Sequence, residues 1–356
     1  MKLEKPRDLK LPTGVLGLAA TPDGARLFAA CMDGQIFEVG SATGDAIPFF
    51  DKHRSFASGC VLLPDGKTLI SGGYDGWLLW HDVETRRVFR RVQAHNFWSW
   101  QLARSPDGKH VATVTGQYLP GGEKYEPAPG AEPTVKVFDT HSGDLVLTGE
   151  HLPPVLSVAF TPDGAHVAAA NMMGEVRVWE LASGKIAAQF TSPDFTCWGI
   201  IKSPHYVGGI YGLCFAPDEA SLLCCGMGPM TDPMAGNGKM TWQRWTWRDT
   251  PPKLLGQIHD GEHGSGLMET LAHMPDGGAF AMAGRQAQGS WNAALFSATD
   301  GKLLASLDTK SRVTRSLFSA DGRTLFLAAA TGQPARDKNG YWPDYGRIHV
   351  IAVDAG

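Results

Sequence analysis

From Val155 to Lys185 the chain alternates short apolar runs with turn residues. VLSVAF leads into Thr161-Pro162-Asp163-Gly164, a second apolar run ends at Gly174, an alternating segment ends at Trp179, and Ser183-Gly184 turns the chain into a fourth segment. Apolar runs this short, bounded by Gly, Pro, Asp and Ser, predict four strands of one antiparallel meander. The first turn recurs along the chain, with Asp at 23, 65, 107, 163, 218, 276 and 321. Gly follows all but Asp218, where Glu219 stands, and Pro precedes all but Asp321, where Ala320 stands. A second landmark, five residues before the last turn of each unit, falls on Val39, His81, Phe138, Trp179, Trp247, Phe296 and Val353. The bare unit takes 16 residues from Asp to landmark (39−23) and 26 from landmark to the next Asp (65−39), or 42 in all.

Repeats of about 40–45 residues, each a four-stranded meander, are the units of a β-propeller. The expected fold is therefore all-β: a seven-bladed propeller of four-stranded antiparallel blades. After Val353 only 3 residues remain and 22 precede Asp23, so counting across the termini restores the step of 26. Residues 2–9 are expected to supply the outer strand of the last blade and close the ring, which removes an exposed sheet edge. Because repeat units bury their faces against neighbours, residues 1–356 are expected to form a single domain despite their length.

In the second repeat, Ser71-Gly72-Gly73-Tyr74-Asp75-Gly76 followed by Trp77-Leu78-Leu79-Trp80-His81-Asp82 resembles the SGGxDGxLxLWD signature of WD40 repeats, and Gly174 to Glu180 is similar. The resemblance implies a structural hydrogen-bonded set of His, Ser or Thr, Asp and Trp. His53, Ser71 and Asp75 match three of its members, with His81 in the place of the Trp. His95 and His151 share the histidine position, 12 residues before their turn Asp, but their repeats lack the Asp. A Pro-Asp-Gly first turn also occurs in TolB-like and lactonase-type bacterial propellers, which keeps the subfamily open.

Departures from the repeat carry the functional expectation. Asp to landmark takes 31 residues in repeat three, 29 in five, 20 in six and 32 in seven, and Trp179 to Asp218 takes 39. Trp247 to Asp276 takes 29, an excess of 3. All these excesses are expected between strands two and three or between strand four and the next strand one. Both connections lie at the same end of a meander, and the turns at the other end are expected to stay short. Long connections on a rigid scaffold concentrate binding residues. Their aromatics Tyr118, Tyr125, Trp198, Tyr341, Trp342 and Tyr345, together with His205, and Trp98 and Trp100 near the edge of the low rim over repeats one and two, are the candidate binding residues, with Met227, Met230 and Met234 as an adaptable apolar patch. For any single aromatic, packing against the blades is an equally good account.

Composition narrows the rest. Net charge is −4 with no long like-charge run, and the cluster Arg86, Arg87, Arg90, Arg91 falls on or beside a fourth strand, where charge discourages edge pairing. No nucleic-acid or membrane partner is expected, no stretch approaches a membrane span, and six cysteines without C-x-x-C spacing suit reduced thiols in a cytoplasmic protein. His259, Glu262 and His263 could ligate a metal, but a loop does not set i and i+4 on one face. No cofactor is expected, and no nucleophile elbow or phosphate loop is present. The favoured reading is a non-catalytic monomeric scaffold presenting its loop-rich face to a protein or peptide. The alternative is an enzyme with a polar or metal-assisted site at the channel mouth.

Overall fold

The computed structural model describes residues 1–117, 131–199, 205–230, 238–258, 264–332, 335–340 and 343–354. The packing of these residues divides the chain into two compact units, one of residues 1–93, 272–285 and 290–356, the other of residues 94–271 and 286–289. The first contains the meanders of repeats one, two and seven; the second contains those of three, four and five. The strands Ser265–His273 and Ala279–Gln288 of repeat six each carry residues of both units.

One register recurs from repeat to repeat. The residue four past each turn Asp pairs with the third strand: Leu27 with Val39, Leu69 with His81, Val111 with Phe138, Val167 with Trp179, Leu222 with Trp245, Phe280 with Phe296 and Leu325 with Ile351. Repeats five and seven thereby depart from the expected landmarks by two residues. In repeat five Trp247 lies past the strand, where it is buried, packs against Phe215 and His166, and donates its indole N–H to the Glu219 carbonyl at 2.9 Å. The turn that brings it back, residues 246–253, spans 8 residues where residues 181–185 of repeat four span 5. The turns at the second end of the meanders are therefore not uniformly short. Two of the residues assigned by count to the second-to-third connection of repeat five belong to this turn.

Local chemistry explains the turn. The Asp side chain accepts the backbone N–H two residues on, as Asp23 does from Ala25 and Asp163 from Ala165, and it also takes a hydroxyl bond from Thr21 or Thr161. The following Gly sits at positive φ, a region open to Gly without steric cost. Glu219 adopts the same conformation at φ 60°, and its side chain is recruited: it accepts the Asp163 N–H at 2.8 Å and pairs with Arg248.

Second strands such as Arg26–Cys31 are buried almost throughout because they pack on both faces, whereas the fourth strand Arg87–Gln93 alternates exposed and half-buried residues. At the N-terminus, Lys2–Leu3 pairs with Asp354 and Val353, and Arg7–Leu11 pairs with residues 346–350. Pairing thus reaches Leu11, two residues beyond the 2–9 read from the sequence. Leu9 and Leu11 enter a core with Leu27, Phe326 and Ile348. Asp8 meets His349 Nδ1 at 2.7 Å, and Ser311 Oγ lies 3.2 Å from its Nε2.

The long connection after repeat four begins with structure of its own. A short 3-10 turn, Pro193–Phe195, precedes a two-stranded hairpin of Thr196–Gly199 and His205–Gly208. Phe195 is fully buried beneath it, and the buried Gln243 ties it down by accepting Ser192 Oγ–H and donating to Asp194.

Candidate binding surface

The second repeat brings together four buried or half-buried polar side chains. His53 Nδ1 lies 2.9 Å from Asp75 Oδ1, its Nε2 lies 2.8 Å from Ser71 Oγ, and Ser71 Oγ lies 2.8 Å from His81 Nε2. The carboxylate requires the proton on His53 Nδ1. Ser71 Oγ bridges the two rings, and a neutral His81 carrying its proton on Nε2 offers Ser71 the ring N–H that an indole would. Burial first, then the neighbouring His53 and Arg91, pushes His81 down to about 3, which keeps it neutral and able to play this part. Asp75 also accepts the backbone N–H groups of Arg54 at 2.8 Å and Trp77 at 3.2 Å. Burial opposes its charge, but the bonds from His53 and these amides outweigh it, and Asp75 sits below the ordinary carboxylate range.

Repeat three builds a related set from a position that forward counting misses. Asp75 stands six residues before His81 (81−75), and counting back six from Phe138 gives Glu132 (138−132). Glu132 Oε1 accepts the Asn96 N–H at 2.8 Å, as Asp75 does that of Arg54, and Oε2 stands 3.8 Å from buried His95 and 2.8 Å from Lys136 Nζ. Burial works against its charge, yet His95, Lys136 and the amide hold Glu132 down at about 2, while burial lowers His95. The repeat lacks the Asp, as the sequence indicates, but an acid stands in its place: the insertion displaced Glu132 in sequence and left it in register with Phe138. In repeat four His151 is neutral, pushed to about 3 mainly by burial, and bonds backbone groups of Leu152 and Glu175.

These polar bonds fix the connection of residues 94–100, from which the candidate aromatics project. Lys136 Nζ donates to the Ala94 carbonyl, Thr115 Oγ1 to the Trp98 carbonyl, and Trp100 Nε1 to the Gly116 carbonyl. On this backbone Phe97 stacks on Trp98 with centroids 5.0 Å apart and planes 14° apart, and Trp98 meets Trp100 edge-on at 5.3 Å. Trp98 is 40% exposed and Trp100 half-buried. Phe97 was not among the candidates; its place between His95 and Trp98 is the signal that was available.

Of the other candidates, Tyr345 is half-buried and its backbone carbonyl accepts from Thr331. The backbones of Trp198 and His205 lie in the hairpin, Trp198 opposite Tyr206 and His205 opposite Gly199. Tyr118, Tyr125, Tyr341 and Trp342 lie outside the described residues, as do Met234, His259, Glu262 and His263. Met227 is buried, which takes it out of the expected apolar patch. Among the described residues no group of three or more His, Cys, Asp or Glu is placed to hold a metal, and no helix is long and apolar enough to cross a membrane. All four arginines of the fourth-strand cluster are engaged: Arg86 with Glu38, Arg91 with Asp51, Arg87 over Phe50 and Arg90 over Trp80.

All-β meanders in four-stranded antiparallel sheets, with a His-Ser-Asp set completed by a ring N–H, are consistent with the blades of a WD-type β-propeller. The WD domain, G-beta repeat model matches residues 134–180. Autophagy-related protein 16 of Arabidopsis thaliana is 28% identical over 185 residues, 47% of this chain and 33% of that protein. WD repeat-containing protein SL1-17 of Schistosoma mansoni is 24% identical over 173 residues, 49% of this chain and 52% of that one. The U3 small nucleolar RNA-associated protein 4 homolog of Mus musculus is 24% identical over 202 residues, 56% and 27% respectively. The chain thus spans between about a quarter and a half of the length of these relatives.

Proposed function

We propose that residues 1–356 form one propeller domain that binds a protein or peptide through its long-connection end, as a non-catalytic scaffold. The observation that carries this reading is the Phe97-Trp98-Trp100 surface. Large rigid aromatics dominate binding energy at protein interfaces, and here they stand on a backbone already fixed by hydrogen bonds, which lowers the entropy cost of binding. The relatives support the same coarse role. Their names point to different processes, autophagy in one and a small nucleolar RNA in another, so they indicate no common partner for this chain. Tyr345, Trp198 and His205, and beyond the described residues Tyr118, Tyr125, Tyr341 and Trp342, are the further contact residues of this reading. The test is affinity capture from the source organism by the wild-type chain and by Trp98→Ala. Partners that Trp98→Ala loses, without loss of fold, support the reading; an unchanged set of captured proteins refutes it.

A further inference from the structure

Beside the hydrogen-bonded set of repeat two a groove opens, lined by Lys52, Arg54, Asp75, Trp77, Leu79 and Arg91. Its charges do not cancel. The Asp75 carboxylate already accepts from His53 and from two backbone amides, and Arg91 is paired with Asp51 at 3.2 Å in an exposed bridge. The side chains of Lys52 and Arg54 are exposed and have no hydrogen-bond or ion-pair partner among the described residues. Arg54 is held at its backbone, since its N–H is bound to Asp75 Oδ2, so this cation is anchored at the rim. Trp77 is half-buried and Leu79 almost fully buried, which gives the groove an apolar wall and floor beside two unneutralised cations.

We propose that this groove binds an acidic peptide segment, one carboxylate against Lys52 and Arg54 and an apolar side chain against Trp77 and Leu79. In an extended peptide, side chains two positions apart face the same way at a spacing of about 7 Å, so the segment recognised has an acid and an apolar residue separated by one position. A peptide fits better than a nucleic acid. Three cations around one aromatic make a short groove rather than a backbone-tracking stripe, and the chain as a whole is net negative. The inference rests on the protein-binding reading and names a second contact for it, carried by residues separate from Phe97, Trp98 and Trp100.

The experiment is fluorescence anisotropy of a short labelled peptide in which a glutamate and a leucine are separated by one serine, titrated with the full chain at low and at physiological salt. The wild type is expected to bind it, more weakly as salt rises. The glutamine-for-glutamate peptide should bind at least about tenfold more weakly, as should the Lys52→Glu, Arg54→Glu double variant with an unchanged melting temperature. Lys52→Gln, Arg54→Gln serves if charge reversal unfolds the chain. Trp98→Ala should bind the peptide like wild type, so that failure of the groove and failure of the aromatic surface read out separately. Absence of wild-type binding, equal binding of the neutral peptide, or full binding by the double variant overturns the proposal. Tighter binding of oligo-dT or phosphatidylserine vesicles than of the peptide, or its displacement by inorganic phosphate at equal concentration, overturns the ligand class.

Discussion

At Asp75 one carboxylate satisfies three donors, while Asp33, at the matching position of repeat one, accepts among the described residues only the Gln35 N–H at 3.1 Å. Removing an acceptor from buried donors costs the desolvation those donors then suffer. Asp75→Ala should therefore lower unfolding stability by about 1–3 kcal/mol and Asp33→Ala by only a few tenths, measured as urea midpoints. Equal costs would mean that the buried set adds nothing to an ordinary turn. The histidines set a pH dependence. His81 and His151 are depressed from 6.5 to about 3, so below 6.5 the unfolded chain takes up protons that the folded chain refuses. Stability from these positions is complete above about pH 6.5 and falls as pH drops through that window, by on the order of 2 kcal/mol per histidine between pH 7 and 5. His81→Phe should start lower at pH 7, having lost the N–H to Ser71, and should show a correspondingly shallower fall to pH 5. A fall as steep as wild type would show that His81 does not remain neutral in the folded state.

At the scale of elements, most of the architecture could be read from spacing, and the misreadings have physical causes. The turn Asp is legible because its bond to the amide two residues on requires that residue at that place, with Gly after it. Third strands are less so. Trp247 and Trp245 are equally apolar, and only the cross-strand partner Leu222 shows that Trp245 is in register. Glu132 was hidden because an insertion separates it from the turn from which forward counting starts. The N-terminal strand was legible from the missing step of the count, but its extent to Leu11 was not, since nothing in the spacing distinguishes Leu9 from Leu11. Deleting residues 1–11 removes two buried leucines and the ladder to residues 346–350. As burying one leucine is worth about 2–5 kcal/mol against Ala, the truncated chain should melt far lower or aggregate. A melting temperature equal to wild type would refute the structural role of this strand.

For the whole molecule, a single domain spanning residues 1–356 should unfold in one calorimetric transition whose van't Hoff and calorimetric enthalpies agree, whereas two resolved transitions would mean two independently stable units. The functional claim rests on the difference between the two ends of the meanders. The long connections, at residues 115–134, 192–209 and 331–345, join second to third strands or fourth to first, and the aromatic surface at 94–100 belongs to the same class of connection. The short turns holding Thr43 and Ser183 join third to fourth strands. Their side-chain bonds are local: Thr43 Oγ1 accepts from the Asp45 N–H, and Ser183 Oγ donates to Glu180. The most direct measurement is quantitative affinity capture from the source organism, comparing wild type with Trp98→Ala, Thr43→Ala and Ser183→Ala, each first shown to melt within about 4 °C of wild type. The account predicts that Trp98→Ala loses partners that both turn variants retain. Loss in the turn variants with retention by Trp98→Ala would contradict it.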